Sequence, residues 1–294
     1  MTRRNFMVGA GAALLLMPFG VAFPAAESRA SMDFAGAIRR IEGEVGGRLG
    51  VASLDLKSRM RLVYRPDELF PLCSTFKLLV AAAVLARVDQ RQERLSRQVP
   101  IEAARLLPNS PITARHAGGH LTLAELCEAA ITVSDNLAGN LLLEAVDGPA
   151  GLTRYLRSIG DSVSRLDRWE VELNESLPGD PRDTTCPAAM LADLQRLLVG
   201  EALSPYSRSQ LTAWLKASRT GDTRLRAGLP AEWAFGDKTG TGERGSTNDV
   251  AIAWPPGSPP LLIAAYLTGT TAAADRRNAA LTAVAKAVVE HLPA

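Results

Sequence analysis

The sequence predicts a mixed fold in which an α/β lobe, built from both ends of the folded chain, carries an inserted all-α lobe. Short strand-like runs lie at residues 48–56 and 61–65 and recur after about residue 230, whereas the long middle of the chain has helical spacing. Strands this far apart in sequence can share one sheet only when the two ends of the chain come together.

These observations divide the 294-residue chain into two lobes. We expect the α/β lobe at about residues 31–68 and 216–294, and the helical lobe at about residues 69–215. A chain of this length can bury the core that such an arrangement requires.

Two groups of strands are expected in the α/β lobe. Residues 48–56 alternate between apolar and polar side chains, and the turn Lys57-Ser58-Arg59 joins them to residues 61–65, which indicates a hairpin. The later strand-like runs are bounded by Gly and Pro, and a segment with helical spacing ends the chain. The runs lie at 234–238, 250–254 and 261–267, and the helical segment at 272–292.

The middle of the chain is predicted to be helical apart from one long loop. Thr122, with Glu125 three residues later, has the pattern of a capping box at a helix start. Residues 161–187 contain Pro178, Gly179 and Pro181 and are expected to form an irregular loop, and loops of that length are often functional. The predicted helices are 74–88, 122–133, 137–146, 151–159, 187–199 and 207–217.

Composition and charge exclude several classes of function. The net charge is only +2 and the basic residues are scattered, without a stripe of interleaved aromatics, so we expect no nucleic-acid partner. The three cysteines, Cys73, Cys127 and Cys186, have neither the number nor the spacing of a disulfide framework or a zinc site, and are expected to be buried thiols. The three histidines form no ligand cluster, so we expect no metal and no cofactor.

The N-terminus has the pattern of an export signal. Arg3-Arg4 precedes an apolar stretch at residues 6–23 that is interrupted by Gly and Pro, and small residues follow at 25–30. This pattern predicts a cleavable signal over residues 1–30, of the twin-arginine type, and a periplasmic location. An uncleaved membrane anchor is the alternative, although the stretch is short and glycine-rich for a membrane span.

Ser74 and Lys77 are the first candidate pair for chemistry. Residues three apart on a helix face the same way, and the rest of this helix is almost wholly apolar. Burial would lower the pKa of Lys77, and such a lysine can act as the base that a serine hydroxyl needs to become a nucleophile. The pair by itself fits an N-cap serine beside a snorkelling lysine better than a catalytic pair.

Two further polar motifs follow in the order that a known family requires. Ser134-Asp135-Asn136 lies between two predicted helices, and Lys238-Thr239-Gly240-Thr241 ends a strand-like run. Alone, the first could be an N-cap cluster and the second a common turn. Together with the Ser74 and Lys77 pair they form the SxxK, SDN and KTG pattern of class A β-lactamases and penicillin-binding proteins. The chain therefore resembles the class A serine β-lactamase family over about residues 31–292.

The resemblance implies a fold and a two-step acyl-transfer mechanism. The expected fold is an antiparallel sheet with flanking helices and an inserted helical lobe, of the β-lactamase and transpeptidase type, with the active site between the lobes. Small β-lactams are the implied substrates, and a monomer without stable membrane association is expected. The implied catalytic residues are Ser74, Lys77, Ser134 and Glu170. The implied substrate-binding residues are Asn136, Asn174, Lys238, Thr239, Gly240, Thr241 and Arg224.

Glu170 distinguishes a β-lactamase from a penicillin-binding protein. It lies in Trp169-Glu170-Val171-Glu172-Leu173-Asn174, which resembles the family's Ω-loop, and the resemblance assigns to it the activation of the hydrolytic water, with Asn174 positioning that water. Arg168 and Asp183 match the ion pair that closes the loop. Whether Lys77 or Glu170 takes the proton of Ser74 is open, and the backbone N–H groups of Ser74 and Thr241 are the implied oxyanion hole.

The sequence departs from the family pattern at several positions. Thr247 stands where some members carry the arginine that binds the substrate carboxylate, and Arg224 is the expected substitute, with Arg277 as a second candidate. Asn109 stands where many members have an aromatic residue at the mouth of the site. Gly242 and Glu243 occupy the region where carbapenem-hydrolysing members carry the cysteine that bonds to the counterpart of Cys73. Ala81 stands where some members carry the partner of the counterpart of Cys127.

Two alternatives use the same motifs. A D,D-peptidase or penicillin-binding protein would be acylated and stay acylated, and Glu170 and Asn174 argue against it. A β-lactam sensor or a catalytically silent homologue would need a broken motif, and each motif of this sequence is intact. The substrate spectrum is not determined by the motifs.

Overall fold

The computed structural model of the chain describes residues 25–293. The predicted export motif at Arg3-Arg4 lies outside the described residues. The helices are α1 (Ala25–Val45), α2 (Phe76–Asp89), α3 (Leu123–Thr132), α4 (Asn136–Glu144), α5 (Gly148–Ser158), α6 (Pro187–Leu198), α7 (Pro205–Lys216), α8 (Leu225–Gly228) and α9 (Ala274–Glu290). The strands are β1 (Arg48–Asp55), β2 (Arg61–Tyr64), β3 (Phe70–Pro71), β4 (Gln98–Pro100), β5 (His120–Thr122), β6 (Thr184–Thr185), β7 (Ala234–Thr241), β8 (Thr247–Trp254) and β9 (Leu261–Thr268).

One antiparallel sheet unites the two ends of the chain. Its strand order is β2-β1-β9-β8-β7, and β1 is paired along its whole length with β9, from Arg48 opposite Thr268 to Asp55 opposite Leu261. This pairing confirms the prediction that the early and late strands share one sheet, with the helical lobe inserted between them. Two short ladders, β3 with β6 and β4 with β5, were not predicted from the sequence.

Hydrophobic cores lie on both faces of the sheet. Helices α1 and α9 cover one face, where Phe34 and Ile38 pack with Leu281 and Val284. The helical lobe covers the other face, and α2 is its central helix, because every residue from Phe76 to Ala86 is buried. A helix that is apolar on all sides belongs inside a protein. The start of α2, which directly follows the turn that carries Ser74, is therefore held within the core.

The predicted helices are confirmed, with ends that shift by up to three residues. Thr122 Oγ1 accepts a hydrogen bond from the backbone N–H of Glu125, and the Glu125 carboxylate accepts one from the backbone N–H of Thr122, so the predicted capping box is present. The long loop is also confirmed, since residues 161–187 contain little regular structure beyond a single helical turn, Glu172–Asn174, and β6. Helix α1 was not predicted, because residues up to 30 were assigned to the export signal. Within residues 25–293, no helix is both long and apolar enough to cross a membrane.

Candidate active site

Ser74 lies in a short 3-10 turn, Cys73–Thr75, that runs directly into α2. The backbone of Cys73 has a positive φ of 44°, which sets the turn before the helix. The hydroxyl of Ser74 donates a hydrogen bond to Glu170 Oε1 at 3.3 Å and accepts one from Lys77 Nζ at 2.9 Å. The serine therefore touches two groups that can receive its proton.

Lys77 is fully buried directly beneath Ser74. Its Nζ lies 2.8 Å from Glu170 Oε1 and donates to Asn136 Oδ1 at 2.6 Å and to the carbonyl oxygen of Ser134 at 3.1 Å. Burial lowers the pKa of Lys77, and the negative charge of Glu170 opposes this shift. A lysine held among acceptors with a lowered pKa can both take and return a proton.

Helix α4 leaves space for Lys77 because it has a glycine, which carries no side chain, at the point of contact. Gly139 on α4 faces the lysine, and a Cβ atom on this residue would lie 2.8 Å from Lys77 Cε and 3.3 Å from Phe76 Cζ. Contacts this short require the neighbouring atoms to move. Glycine at this helical position is therefore explained by the passage of the lysine side chain.

The SDN motif forms the tight connection between α3 and α4. Asp135 caps α4 by accepting the backbone N–H of Ala138, and it also accepts the backbone N–H and the hydroxyl of Thr113. The amide of Asn136 donates to the carbonyl oxygen of Pro108 at 2.9 Å. Ser134, which has a positive φ of 57°, is thereby held with its hydroxyl towards both active-site lysines.

Strand β7 supplies the second lysine and the far wall. Lys238 is fully buried, and its Nζ donates to Ser134 Oγ at 3.1 Å and to the carbonyl oxygen of Thr239 at 2.7 Å. Burial, together with the positive charge of Lys77, lowers the pKa of Lys238 to about 7. The hydroxyls of Thr239 and Thr220 share a hydrogen bond of 2.6 Å. Strand β7 extends beyond the predicted run at 234–238 and includes all of the KTG residues, because Thr241 pairs with Thr247 of β8.

Arg224 holds the C-terminal end of this strand by hydrogen bonds. Its guanidinium donates to Thr241 Oγ1 at 2.7 Å, to the carbonyl oxygen of Gly240 at 2.9 Å and to that of Asn248 at 2.7 Å. Burial lowers the pKa of Arg224. Of the two arginines considered as carboxylate ligands, Arg224 is among the residues that line the groove, whereas Arg277 is not.

The long loop brings Glu170 under Ser74 and fixes it there. Asn140 on α4 accepts the backbone N–H of Glu170 at 2.9 Å and donates to its carbonyl oxygen at 3.1 Å. Asn174 Nδ2 donates to Glu170 Oε2. The predicted ion pair is present, with Arg168 Nε 2.6 Å from Asp183 Oδ2.

Three contributors to the site were missed from the sequence. Asn140 clamps both backbone groups of Glu170, Glu175 adds a second partner 2.7 Å from Arg168 Nη1, and Thr220 orients Thr239. For Asn140 a signal existed, because it lies one helical turn after Asn136 and faces the same side of α4. The other two belong to loops whose course the sequence does not specify.

The surface above these groups is a groove of about 390 Å³. Lys77, Glu170 and Lys238 lie beneath its floor, since none of them is more than 3% exposed. Asn109 lies at the mouth and donates from Nδ2 to the carbonyl oxygen of Ser134 at 3.1 Å. The lining residues are Ser74, Asn109, Val133, Ser134, Asn136, Asn174, Thr220, Arg224, Thr239 and Thr241.

The cysteines take no part in this network as ligands or as a disulfide. All three are free and buried, and burial raises the pKa of Cys73 to about 12. Cys73 Sγ lies 3.8 Å from Ser176 Oγ, and a Cβ atom placed on Gly242 would be 2.6 Å from that sulfur. Among residues 25–293, no group of three or more His, Cys, Asp or Glu side chains is arranged to hold a metal ion.

Comparison with known proteins gives a consistent family. The model of the β-lactamase enzyme family matches residues 33–292. The chain is 48% identical over 252 residues to β-lactamase AST-1 of Nocardia asteroides, covering 86% of this chain and 81% of that protein. It is 46% identical over 250 residues to β-lactamase CTX-M-8 of Citrobacter amalonaticus, covering 85% and 86%.

A solved structure shares the fold as well as the sequence. An ancestral class A β-lactamase (GNCA) is 59% identical and superposes with a TM-score of 0.87, covering 88% of this chain and all of that one. The family match, over residues 33–292, includes the strands and helices that build the groove. The chain therefore belongs to the β-lactamase enzyme family, within the class A serine enzymes.

Proposed function

We propose that this protein hydrolyses the β-lactam ring of penicillins and cephalosporins through an ester on Ser74, and so confers resistance to these antibiotics. The observation that carries the proposal is the contact of Ser74 with both Lys77 and Glu170 on the floor of one groove. A nucleophile, a base for its activation and a second base for the ester are then all within reach of one substrate carbonyl.

Acylation begins when Ser74 Oγ attacks the lactam carbonyl carbon. Either Lys77 or Glu170 can receive the hydroxyl proton, because both lie within hydrogen-bond distance of Ser74 Oγ. The backbone N–H groups of Ser74 and Thr241 are assigned to the negative oxygen of the tetrahedral intermediate. Ser134, which accepts hydrogen bonds from both buried lysines, passes a proton to the ring nitrogen as the carbon–nitrogen bond breaks.

Substrate binding is assigned to the two walls of the groove. Lys238, Thr239, Gly240 and Thr241 on β7 would hold the carboxylate of the substrate, and Arg224 would act on it through Thr241, to which it is hydrogen-bonded. On the opposite wall, Asn136 would hold the side-chain amide of the substrate. Its position is supported by the hydrogen bond to Pro108.

Deacylation is assigned to Glu170, which would activate a water molecule that attacks the ester, with Asn174 helping to position that water. Glu170→Ala should therefore be acylated and stay acylated, so that intact-protein mass spectrometry detects one bound β-lactam for minutes to hours. Glu172→Ala is the matched control, because Glu172 is an exposed carboxylate of the same loop, and it should turn over normally. Full turnover by Glu170→Ala would contradict the assignment.

We also propose that residues 1–30 are an export signal of the twin-arginine type, that residues 31–294 are the catalytic domain, and that the mature protein is a periplasmic monomer. Arg3-Arg4 before an apolar stretch supports the signal, as does the start of the family match at residue 33. Replacing Arg3 and Arg4 by lysine should leave unprocessed precursor in the cytoplasmic fraction, whereas normal processing of that variant would contradict the route. Light scattering on the mature protein tests the monomer.

A further inference from the structure

Two buried carboxyl groups face each other outside the groove, at the base of the long loop. Asp161 follows α5 at the point where the loop begins, and Asp193 lies on α6, the helix that follows the loop. They are 3% and 0% exposed. No step of the hydrolysis uses either of them.

Each carboxyl group has one satisfied and one unsatisfied oxygen. Asp161 Oδ1 accepts the backbone N–H groups of Val163 and Ser164 at 2.8 and 3.0 Å, and Asp193 Oδ1 accepts Arg196 Nη1 at 2.9 Å. The Oδ2 atoms of both groups are buried without a donor from the described residues. As hydrogen-bonding neighbours, the two carboxyl groups act on each other's pKa, raising that of Asp193 and lowering that of Asp161.

One proton between the two groups would supply a donor where the described residues provide none. Two ionised carboxylates in contact repel, whereas a protonated carboxyl is a donor to the other. Asp193 is the group that carries the proton, because burial and the charge of Asp161 raise the pKa of Asp193 to about 8. The hydrogen bonds from Ser164, from Asp193 and from two backbone N–H groups hold the pKa of Asp161 below its usual range, against the effect of burial.

Among the residues that the structure describes, Arg196 is the cation that forms an ion pair with one of the two carboxyl groups. Arg157 on α5 binds the backbone and not the carboxyl groups, since its Nη1 donates to the backbone carbonyl oxygens of Asp161 and Ser164. Three further titratable groups are near enough to interact with the two carboxyls. They are Tyr155 on α5, Tyr266 on β9 and Cys186 at the start of α6, and the pKa of each is raised, mainly by burial, so they are neutral at pH 7.

From this geometry we propose that Asp161 and Asp193 share one proton at neutral pH and that the pair positions the neck of the Ω-loop. Asp161 holds the turn at Val163 and Ser164, and the hydroxyl of Ser164 is hydrogen-bonded to that of Thr185 at 2.6 Å on the returning strand. Asp193 is a positioning residue in this scheme. It acts through Asp161 on the segment that leads to Glu170.

Infrared difference spectroscopy tests the shared proton directly. The wild-type spectrum at pH 6.5 minus that of Asp193→Asn should contain the carbonyl stretch of one buried carboxylic acid, and this band should vanish from the wild-type protein as the pH rises through about 8. Subtraction cancels the contribution of Asp237, another buried carboxyl whose pKa is raised. Absence of the difference band, or its survival to high pH without change, would overturn the shared proton.

Asp183→Asn is the matched control for the spectrum. It weakens the other clamp of the loop neck, the ion pair with Arg168, and leaves the carboxyl pair intact. The variant should therefore keep the carboxylic-acid band. Loss of the band in Asp183→Asn would assign the signal to general loosening of the loop and would refute the proposal.

A stability measurement supplies the second arm. Because the folded pKa of Asp193 lies above the unfolded value of 3.8, the folded state binds an extra proton between about pH 4 and 8, and the free energy of unfolding falls as the pH rises through that window. In Asp193→Asn the amide keeps a donor for Asp161 and cannot ionise. The urea midpoint of the variant should therefore increase relative to that of the wild type as the pH rises from 5 to 9. A difference in midpoint that does not change with pH would overturn the proposal.

The kinetic arm rests on the role proposed for Glu170. With a substrate whose deacylation limits turnover, kcat of the wild type should decline as Asp193 ionises, and Asp193→Asn should move that decline to higher pH with KM unchanged. If kcat has the same pH profile in both proteins while the infrared band behaves as expected, positioning of the loop is refuted and the shared proton stands. If Glu170→Ala turns over fully, the proposed deacylation is wrong, whereas the spectrum still decides the carboxyl pair.

Discussion

Gly139 on α4 gives the sharpest test of how tightly the active-site lysine is held. A methyl group there would lie 2.8 Å from Lys77 Cε, about 0.6 Å inside the 3.4 Å at which ordinary contact begins. Phe76 Cζ, at 3.3 Å, closes the other side. Lys77 is fully buried and bonded to several acceptors, so in Gly139→Ala it must move away from Ser74 or Asn136 to relieve the contact.

The expected losses can be estimated from this overlap. Misplacement of a catalytic group by about 1 Å costs roughly a hundredfold in rate, so a shift of about 0.6 Å should reduce kcat/KM of Gly139→Ala by about 10- to 100-fold. Overpacking costs about 1–3 kcal/mol, and alanine in a helix returns up to about 1 kcal/mol, so the variant should lose about 0–3 kcal/mol of unfolding free energy. Because folded domains are typically stable by about 5–15 kcal/mol, the variant should stay folded while it loses activity.

Stopped-flow acylation with a chromogenic cephalosporin and urea denaturation measure the two quantities. Gly36→Ala is the matched control, because Gly36 lies inside helix α1 with nothing within 4 Å of its Cβ position. It should gain up to about 1 kcal/mol and keep its activity. Wild-type kcat/KM in Gly139→Ala would refute the argument that relief of the contact displaces Lys77 from Ser74 or Asn136.

Three further changes test other parts of the site. Because the pKa of Lys238 is lowered to about 7, its positive charge is lost as the pH rises above that value, and KM for a substrate with a carboxylate should rise between pH 7 and 9; a flat KM profile would contradict a role in anion binding. Gly242→Cys places a second sulfur beside Cys73, so thiol titration of the denatured, oxidised variant should find two free thiols instead of four, whereas Gly242→Ser keeps three. Arg168→Ala breaks the partly buried ion pair of the loop neck and should cost about 2–3 kcal/mol in urea denaturation, whereas Arg182→Ala, which removes an exposed pair, should leave the urea midpoint nearly unchanged; equal losses in the two variants would show that the neck pair contributes no more than the exposed one.

The parts of the fold that the sequence predicts well are those with a strong local pattern. Helix α2 is recognisable because its apolar run is uninterrupted, and the capping box at Thr122 marks the start of α3 to the residue. The predicted run at 234–238 ends before β7 does, and the run at 250–254 begins after β8 does, because both predictions followed the hydrophobic residues. Thr239, Gly240 and Thr241 are polar or small, and only the pairing with β8 keeps them in the strand.

The active site was predictable as a set of motifs but not as a network. The spacing of Asn140 from Asn136 places both on one side of α4, but it does not indicate that Asn140 holds both backbone groups of Glu170. Nothing local in the sequence indicates that donors of Arg224 are occupied by Thr241 and two carbonyl oxygens. These contacts join residues that are far apart along the chain, and they depend on how the loop folds over α4. The carboxyl pair of Asp161 and Asp193 was missed for the same reason.

The charges beneath the groove explain why this site would favour an anionic substrate. Lys77 and Lys238 are both fully buried beside Ser134, and Glu170 is the carboxylate in direct contact with Lys77. Buried charges cost free energy unless they are paired, and here the cost is visible in the lowered pKa of both lysines. A carboxylate bound beside Thr239 would supply the missing partner for Lys238 and raise its pKa again. Burial of two cations is unfavourable in the free site, and a bound substrate with a negative charge would offset that free-energy cost. Recognition of the anion and protonation of Lys238 should therefore be linked.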